Sequence, residues 1–146
     1  MKKAEAVLAA PLNTFVEEVL GEYENVDVVT TRIAGRTYVT VKELGFSLVS
    51  EDSESVVCVQ VHGKNSGYGP SVISLPKGLS MSDVRVDFHR KLGPPSQSGG
   101  GGRNPLNGSE IPLWEVFIIG KYRCHVEYLP RSDEVALVSL ELAKIP

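Results

Sequence analysis

The sequence contains few of the residues that hold a small fold together by covalent or metal cross-links. Its 146 residues include two cysteines, Cys58 and Cys124, which fit neither a zinc-ligand spacing nor a CxxC redox motif. The histidines His62, His89 and His125 show no i, i+4 pairing that would bind a metal. We therefore expect no cofactor and two reduced thiols; a disulfide would require neighbouring strands and export.

Long apolar runs and an excess of positive charge are also absent. No stretch approaches the roughly 20 apolar residues that cross a bilayer, and Glu5 and Pro11 interrupt the N-terminal stretch that would otherwise imitate a secretion signal. The chain has 15 Lys and Arg against 18 Asp and Glu, a formal net charge of -3, so it offers no broad cationic field. We expect a cytoplasmic protein that binds neither nucleic acid nor membrane.

The first half of the chain is predicted to be one helix followed by strands. Thr14 and Glu17 have capping-box spacing and Gly21 supplies a stop, which predicts a helix from Asn13 to Leu20. Residues Ala4 to Ala10 are compatible with an upstream extension of this helix. Four extended runs separated by turn residues then predict an antiparallel meander: Val26 to Ile33, Thr37 to Val41, Phe46 to Ser50 and Val56 to His62.

The second half has the same order of elements. Ser80 as N-cap with Asp83 at N3 predicts a helix that ends at Gly93, with His89 as a solvated cation near its end. Three further strands are predicted: Trp114 to Ile119, Tyr122 to Tyr128 and Val135 to Leu142. The last has apolar residues on both faces, which favours a central position or a covering helix.

The predicted fold is therefore α+β, in a single domain covering residues 1–146. We expect one antiparallel sheet of about 6–8 strands with two main helices packed on one face. The shared order of elements is compatible with tandem helix–strand repeats over residues 12–62 and 75–142, joined by a linker over residues 63–74, although the same order also arises by chance in α+β chains.

Residues 93–113 carry no periodic apolar pattern and include the run Ser98 to Gly102, which predicts a long flexible loop. Such a loop is either tolerated or functional, for example as a lid over a ligand. A phosphate-binding loop is excluded because these glycines follow a helix, whereas a phosphate loop leads into one.

The search for catalytic residues finds no constellation. Asp87 and His89 lie two positions apart and so point to different faces of a helix. Cys58 and His62 share a strand face but lie about 13 Å apart at about 3.3 Å per residue. We therefore predict that the protein is not an enzyme.

The distribution of charge is the one positive functional signal. Residues 1–62 contain five basic and ten acidic residues, a balance of -5, so the remainder carries +2. An acidic surface of this kind attracts a basic partner. The candidate partner-binding residues are Glu17, Glu18, Glu22, Glu24, Asp27, Glu51, Asp52 and Glu54. The alternative is a solvated helix face with a polar turn.

Several segments resemble a known group of proteins: Leu75 to Pro95, Ser98-Gly99-Gly100 with Trp114, His125 to Tyr128, and Thr37-Tyr38 with Leu44 to Leu48. The resemblance is to small bacterial immunity-type proteins of polymorphic toxin and interbacterial competition systems. More distantly, the chain is similar to helix–strand repeats of the β-lactamase inhibitor protein and outer-membrane assembly lipoprotein type, although it lacks a lipobox cysteine. The resemblance implies a binding module without catalysis.

Together these observations predict an immunity protein that neutralises a cognate toxin by covering its active site, and the acidic charge favours a basic toxin. The alternative is a small-ligand or peptide-binding domain with residues 93–113 as its lid. The oligomeric state is left open.

Overall fold

The computed structural model describes residues 2–23, 25–51, 54–63 and 66–143. These residues contain ten strands and three α-helices. The helices are α1 (Ala4–Val7), α2 (Leu12–Glu22) and α3 (Arg85–Leu92), with 3₁₀ turns at Lys42–Leu44 and Pro76–Gly78. The strands are β1 (Lys2–Lys3), β2 (Val29–Ile33), β3 (Arg36–Val41), β4 (Phe46–Glu51), β5 (Val56–His62), β6 (Ile73–Ser74), β7 (Gln97–Gly99), β8 (Trp114–Ile119), β9 (Tyr122–Tyr128) and β10 (Val135–Leu142).

Eight of the strands form one antiparallel sheet in the order β2-β3-β4-β5-β10-β9-β8-β7, while β1 and β6 form a separate parallel pair. The first half of the chain supplies β2 to β5 and the second half supplies β7 to β10. The last strands of the two halves pair at the centre, where Val61 lies opposite Val138. Each half is thus a helix followed by a four-stranded meander, and β10 is central as predicted.

Both longer helices pack on the same face of the sheet. Phe15 of α2 makes an edge contact with Phe46 of β4 at 6.0 Å between ring centroids. Phe88 of α3 lies against Phe117 and Tyr128 at 6.4 and 6.5 Å. The predicted α+β class, with one antiparallel sheet and two main helices on one face, is confirmed. None of the described helices is long and apolar enough to cross a bilayer.

The predicted start and end of the first helix are wrong. Helix α2 begins at Leu12 after Pro11, Thr14 lies inside its first turn, and Gly21 lies within the helix. The Leu12 N–H donates to the Glu54 carbonyl, so a neighbouring segment replaces a side-chain cap. The upstream extension is also wrong, because α1 ends at Val7 and Ala9 is left-handed with φ 67°.

The predicted Ser80 cap of the second helix is wrong too. The Ser80 N–H does donate to the Asp83 carboxylate, but α3 begins at Arg85. Val84 is held extended because it forms a bridge with Glu134, and the Asp87 carboxylate accepts the Val84 N–H at 2.9 Å. Tertiary backbone pairing therefore moves the cap from Ser80 to Val84.

Residues 93–113 are not an unstructured loop. Residues Gln97–Gly99 form strand β7, which pairs with β8. Across the turn that follows, the Gly101 N–H donates to the Ile111 carbonyl and the Ile111 N–H donates to the Gly102 carbonyl. A Cβ on Gly99 would lie 2.4 Å from the Trp114 ring, so this glycine permits close packing of the backbone on the indole. Trp114 in turn stacks on His125 at 5.5 Å.

Candidate functional site

Three of the predicted partner-binding residues lie together on α2. Glu17, Glu18 and Glu22 are all exposed. The Lys2 ammonium donates to Glu18 at 2.9 Å and lies 3.9 Å from Glu22. This pairing raises the pKa of Lys2 and partly neutralises the acidic surface of α2, which we define as Glu17, Glu18 and Glu22.

The remaining predicted acidic residues are spread over other elements. Asp27 is exposed before β2, and Glu51 at the end of β4 pairs with Arg36 at 3.5 Å. Glu54 is exposed next to the first turn of α2, where its carbonyl accepts the Leu12 N–H. Glu24 and Asp52 lie outside the described residues. The structure therefore groups Glu17, Glu18 and Glu22 on one helix and does not group Glu51 with them.

Among the described residues, the carboxylate with the most side-chain hydrogen bonds was not predicted as a functional residue. Glu115 of β8 faces the helices and is completely buried. It accepts two hydrogen bonds from the Arg85 guanidinium at 3.2 Å and one from the Tyr128 hydroxyl at 2.8 Å. His89 Nε2 lies 2.9 Å from both carboxylate oxygens. We call Glu115, Arg85, His89 and Tyr128 the Glu115 cluster.

The cluster holds Glu115 ionised. Burial by itself raises the pKa of Glu115, but the hydrogen bonds from Arg85, His89 and Tyr128 outweigh it, and the pKa is lowered. An ionised carboxylate only accepts hydrogen bonds, so His89 Nε2 carries a proton. The same burial and the bond to Glu115 raise the pKa of the Tyr128 phenol. His89, expected to be a solvated cation, instead ties α3 to β8.

One strand signal could have identified Glu115. In the run Trp114 to Ile119, Glu115 lies on the same strand face as Phe117 and Ile119, and both of these residues are buried. A carboxylate on a buried face requires donors. The identity of those donors depends on how α3 crosses the sheet, which the strand pattern does not specify.

A cleft of about 420 Å³ lies where β5 ends and the chain passes through residues 66–82. Its apolar lining includes Ile73, Leu75, Leu79 and Met81, and its hydroxyl groups come from Ser71, Ser74, Ser80 and Ser82. His62 and Tyr68 stack at one side with ring centroids 3.8 Å apart. Burial lowers the pKa of His62, so its ring is neutral at pH 7. Among the described residues the lining side chains therefore carry no formal charge.

The described lining of this cleft includes no residue of the segment 93–113 that was predicted as a lid. All of its described lining residues fall between His62 and Ser82. That segment packs on Trp114 through β7, and its role as a lid stays a prediction.

One hydroxyl–imidazole contact borders this cleft. Ser47 Oγ lies 2.9 Å from His62 Nε2 and 3.4 Å from the Thr40 hydroxyl. Ser47 is only 6% exposed, so a substrate would have little access to its hydroxyl. Within the described residues, no carboxylate bonds to the His62 ring to orient it.

The two thiols are also poor nucleophiles. Burial raises the pKa of Cys58 to about 11 and of Cys124 to about 12, so both are protonated at neutral pH. Both cysteines are free, and β10 lies between their strands, so the neighbouring strands that a disulfide requires are absent from the sheet.

Comparison with known proteins adds little to this geometry. No protein-family model matches the chain, and no curated protein matches it. Among solved structures, the chain is similar to the crystal structure of a DUF4309 family protein (YjgB) from Bacillus subtilis subsp. subtilis str. 168. The two are 13% identical, the match covers 90% of this chain and 78% of the other, and the TM-score is 0.49.

Proposed function

We propose that the chain is a non-catalytic binding protein that neutralises a basic partner protein, as a bacterial immunity protein does with its cognate toxin. The partner would be held through the acidic surface of α2, and the bound chain would cover the partner's active site. The observation that supports this most is the exposure of three carboxylates on one helix that is anchored in the core.

Helix α2 is suited to present these groups. Phe15 and Val19 are 4% and 3% exposed, so the helix is anchored along one side and its carboxylates are held in place. The single Lys2 ammonium lies beside both Glu18 and Glu22. One positive charge does not balance the carboxylates of Glu17, Glu18 and Glu22, so the acidic surface keeps a net negative charge. A fixed negative surface raises the rate at which a basic partner associates.

Reversing this charge should slow association. We expect Glu17→Lys, Glu18→Lys and Glu22→Lys, combined in one protein, to lower the association rate constant by roughly tenfold or more at low salt. The wild-type rate should also fall steeply with ionic strength, because exposed charges are screened. The candidate partner is the protein encoded by the gene next to the one for this chain. The measurement is stopped-flow association with that purified protein at several salt concentrations.

Glu134→Lys is the matched single-site control, compared with Glu17→Lys. Glu134 is exposed after β9 in the second half of the chain, so its reversal alters the net charge equally without touching α2. If Glu17→Lys and Glu134→Lys slow association to the same extent, net charge alone acts and the α2 surface is not the contact.

A second candidate function is supported by the cleft between His62 and Ser82. Its volume lies within the roughly 300–1,000 Å³ of typical ligand sites. With a neutral His62 and serine hydroxyls beside Ile73 and Leu79, the cleft fits an uncharged ligand that has an apolar body and hydroxyl groups. A charged ligand would lose its hydration without gaining a counter-charge.

This candidate predicts selective binding of a small neutral probe. Benzyl alcohol should shift the backbone amide signals of Gly69 and Ser71 in a saturable way, while benzoate and benzylamine at the same concentration should bind at least tenfold more weakly. The measurement is two-dimensional NMR titration. Ser82→Phe should fill the cleft and reduce the affinity for benzyl alcohol, since Ser82 is an exposed lining residue.

Ser109→Phe provides the control, because Ser109 is an exposed serine outside the cleft. It should leave the titration unchanged. Equal binding of the three probes, or an unchanged titration in Ser82→Phe, would count against a ligand site here.

A further inference from the structure

We propose that strand β2 is a self-association edge, through which two copies of this chain pair as antiparallel strands around a two-fold axis at Thr31. Strand β2 ends the eight-stranded sheet and pairs with β3 on one side. All five of its residues are exposed. Within the described residues no strand covers its other side.

The backbone of β2 has hydrogen-bonding groups available on that outer side. Ile33 and Arg36 flank the two-residue turn Ala34-Gly35, so they form a hydrogen-bonded pair. Hydrogen-bonded and non-hydrogen-bonded pairs alternate in an antiparallel ladder, so Val29, Thr31 and Ile33 bond to β3. The N–H and C=O groups of Thr30 and Arg32 therefore point away from the sheet.

These outward groups suit pairing with an identical strand. With the axis at Thr31, Thr30 of one copy lies opposite Arg32 of the other, and each such pair exchanges two backbone hydrogen bonds. Thr31 then lies opposite Thr31 in a non-hydrogen-bonded pair. The guanidinium groups of the two copies lie opposite threonine, so like charges are not placed together.

The side chains are complementary in the same register. Val29 and Ile33 are 58% and 59% exposed, among the large hydrophobic residues that the fold leaves in water. Val29 and Ile33 lie on the same face of β2. The two-fold axis places Val29 of each copy opposite Ile33 of the other, in a non-hydrogen-bonded pair, where the side chains are closer together. A second copy thus covers both apolar side chains, which favours this occupant over an unrelated strand.

Strand β2 carries little protection against such pairing. Exposed edge strands are commonly blunted by proline, charged side chains, bulges or short length. Strand β2 has five residues, pairs with β3 without a bulge and contains no proline, and its one charged side chain, Arg32, lies opposite threonine in the two-fold register. The opposite edge, β7, has three residues. An interface formed by one five-residue strand is small, so we expect weak, concentration-dependent dimers.

The first test measures the dimer dissociation constant by sedimentation velocity. Val29→Lys or Ile33→Glu should each raise it at least tenfold, because each places a charge against an apolar side chain of the other copy. Combining the two substitutions should restore most of the affinity, because opposite charges then face each other at both pairs. Leu106→Lys, which removes an apolar side chain that is 94% exposed elsewhere, should have no effect.

The second test measures the register by cross-linking. Thr31→Cys should form a dimer disulfide under mild oxidation, because non-hydrogen-bonded partners have Cα atoms about 4.5 Å apart, within the range that a disulfide spans. Thr30→Cys should cross-link at least tenfold more slowly. A protein that stays monomeric up to millimolar concentration, or a dimer that the β2 substitutions leave unchanged, would overturn the proposal.

Discussion

Glu115→Gln is expected to lower the free energy of unfolding by about 2–4 kcal/mol. The amide removes the negative charge that three donors share and turns its NH₂ group toward donors that need an acceptor. Tyr128 is fully buried and cannot replace the lost bond with water, whereas the Arg85 side chain is 41% exposed and partly can. Urea unfolding followed by circular dichroism measures the change.

Glu141→Gln is the matched control for this substitution. Glu141 also lies on a strand and pairs with Arg123 at 2.9 Å, but both side chains are 37% exposed. Exposed pairs contribute about 1 kcal/mol or less, so the control should change stability little. If Glu141→Gln destabilises the protein as much as Glu115→Gln, burial is not the source of the cluster's contribution.

The stability difference between wild type and Glu115→Gln should also depend on pH. Because the pKa of Glu115 is lowered in the folded protein, its contribution is fully present above its ordinary value of 4.5. The contribution is lost as pH falls through the lowered folded pKa. Unfolding at pH 7 and at successively lower pH should therefore show the two proteins converging, and a constant difference would contradict the assignment.

The strands could be predicted closely from the sequence, since alternation reports directly which side chains face the core. The bounds of β5, β8, β9 and β10 match the predicted ones, and β2 differs by beginning at Val29 where Val26 was expected. Residues 26–28 have no partner strand, although their composition is that of a strand. Pairing, which is tertiary, decided where this strand begins.

Helix starts were less predictable because their donors are satisfied by distant backbone. Leu12 donates to the Glu54 carbonyl, and Arg85 donates to the Asp133 carbonyl. The capping patterns at Thr14 and Ser80 predict where an isolated helix would begin, because its first N–H groups would need side-chain acceptors. Each real start is displaced to the residue whose N–H meets a neighbouring segment.

The candidate sites were predictable only in part, for the same reason. Charge pattern alone placed Glu17, Glu18 and Glu22 in solvent, and they are exposed. Their neutralisation by Lys2 depends on how β1 is positioned against β6, which no local pattern reports. Likewise, the glycines near Trp114 suggested flexibility, whereas Gly99 serves the packing of the indole ring.

Gly45→Ala should destabilise the protein by about 2–5 kcal/mol, from left-handed strain together with steric overlap. Gly45 has φ +72°, and a Cβ there would lie 2.3 Å from the Gly69 carbonyl oxygen and 2.7 Å from the Ser71 nitrogen. These are backbone atoms and cannot rotate away. The segment they belong to is tied down by the Gly69 N–H bond to the Lys42 carbonyl and the Val72 N–H bond to the Leu44 carbonyl.

Gly78→Ala separates the two contributions to this loss. Gly78 has nearly the same backbone angle, φ +68°, but a Cβ there meets nothing within 4 Å, so only the conformational cost of about 1–2 kcal/mol applies. The excess loss in Gly45→Ala measures the overlap with Gly69 and Ser71. Both residues line the cleft, so Gly45→Ala should also alter benzyl alcohol binding while Gly78→Ala should not. Equal losses of stability in urea unfolding would show that the cleft wall yields to the added methyl group, and that this wall is not the rigid support that ligand selectivity requires.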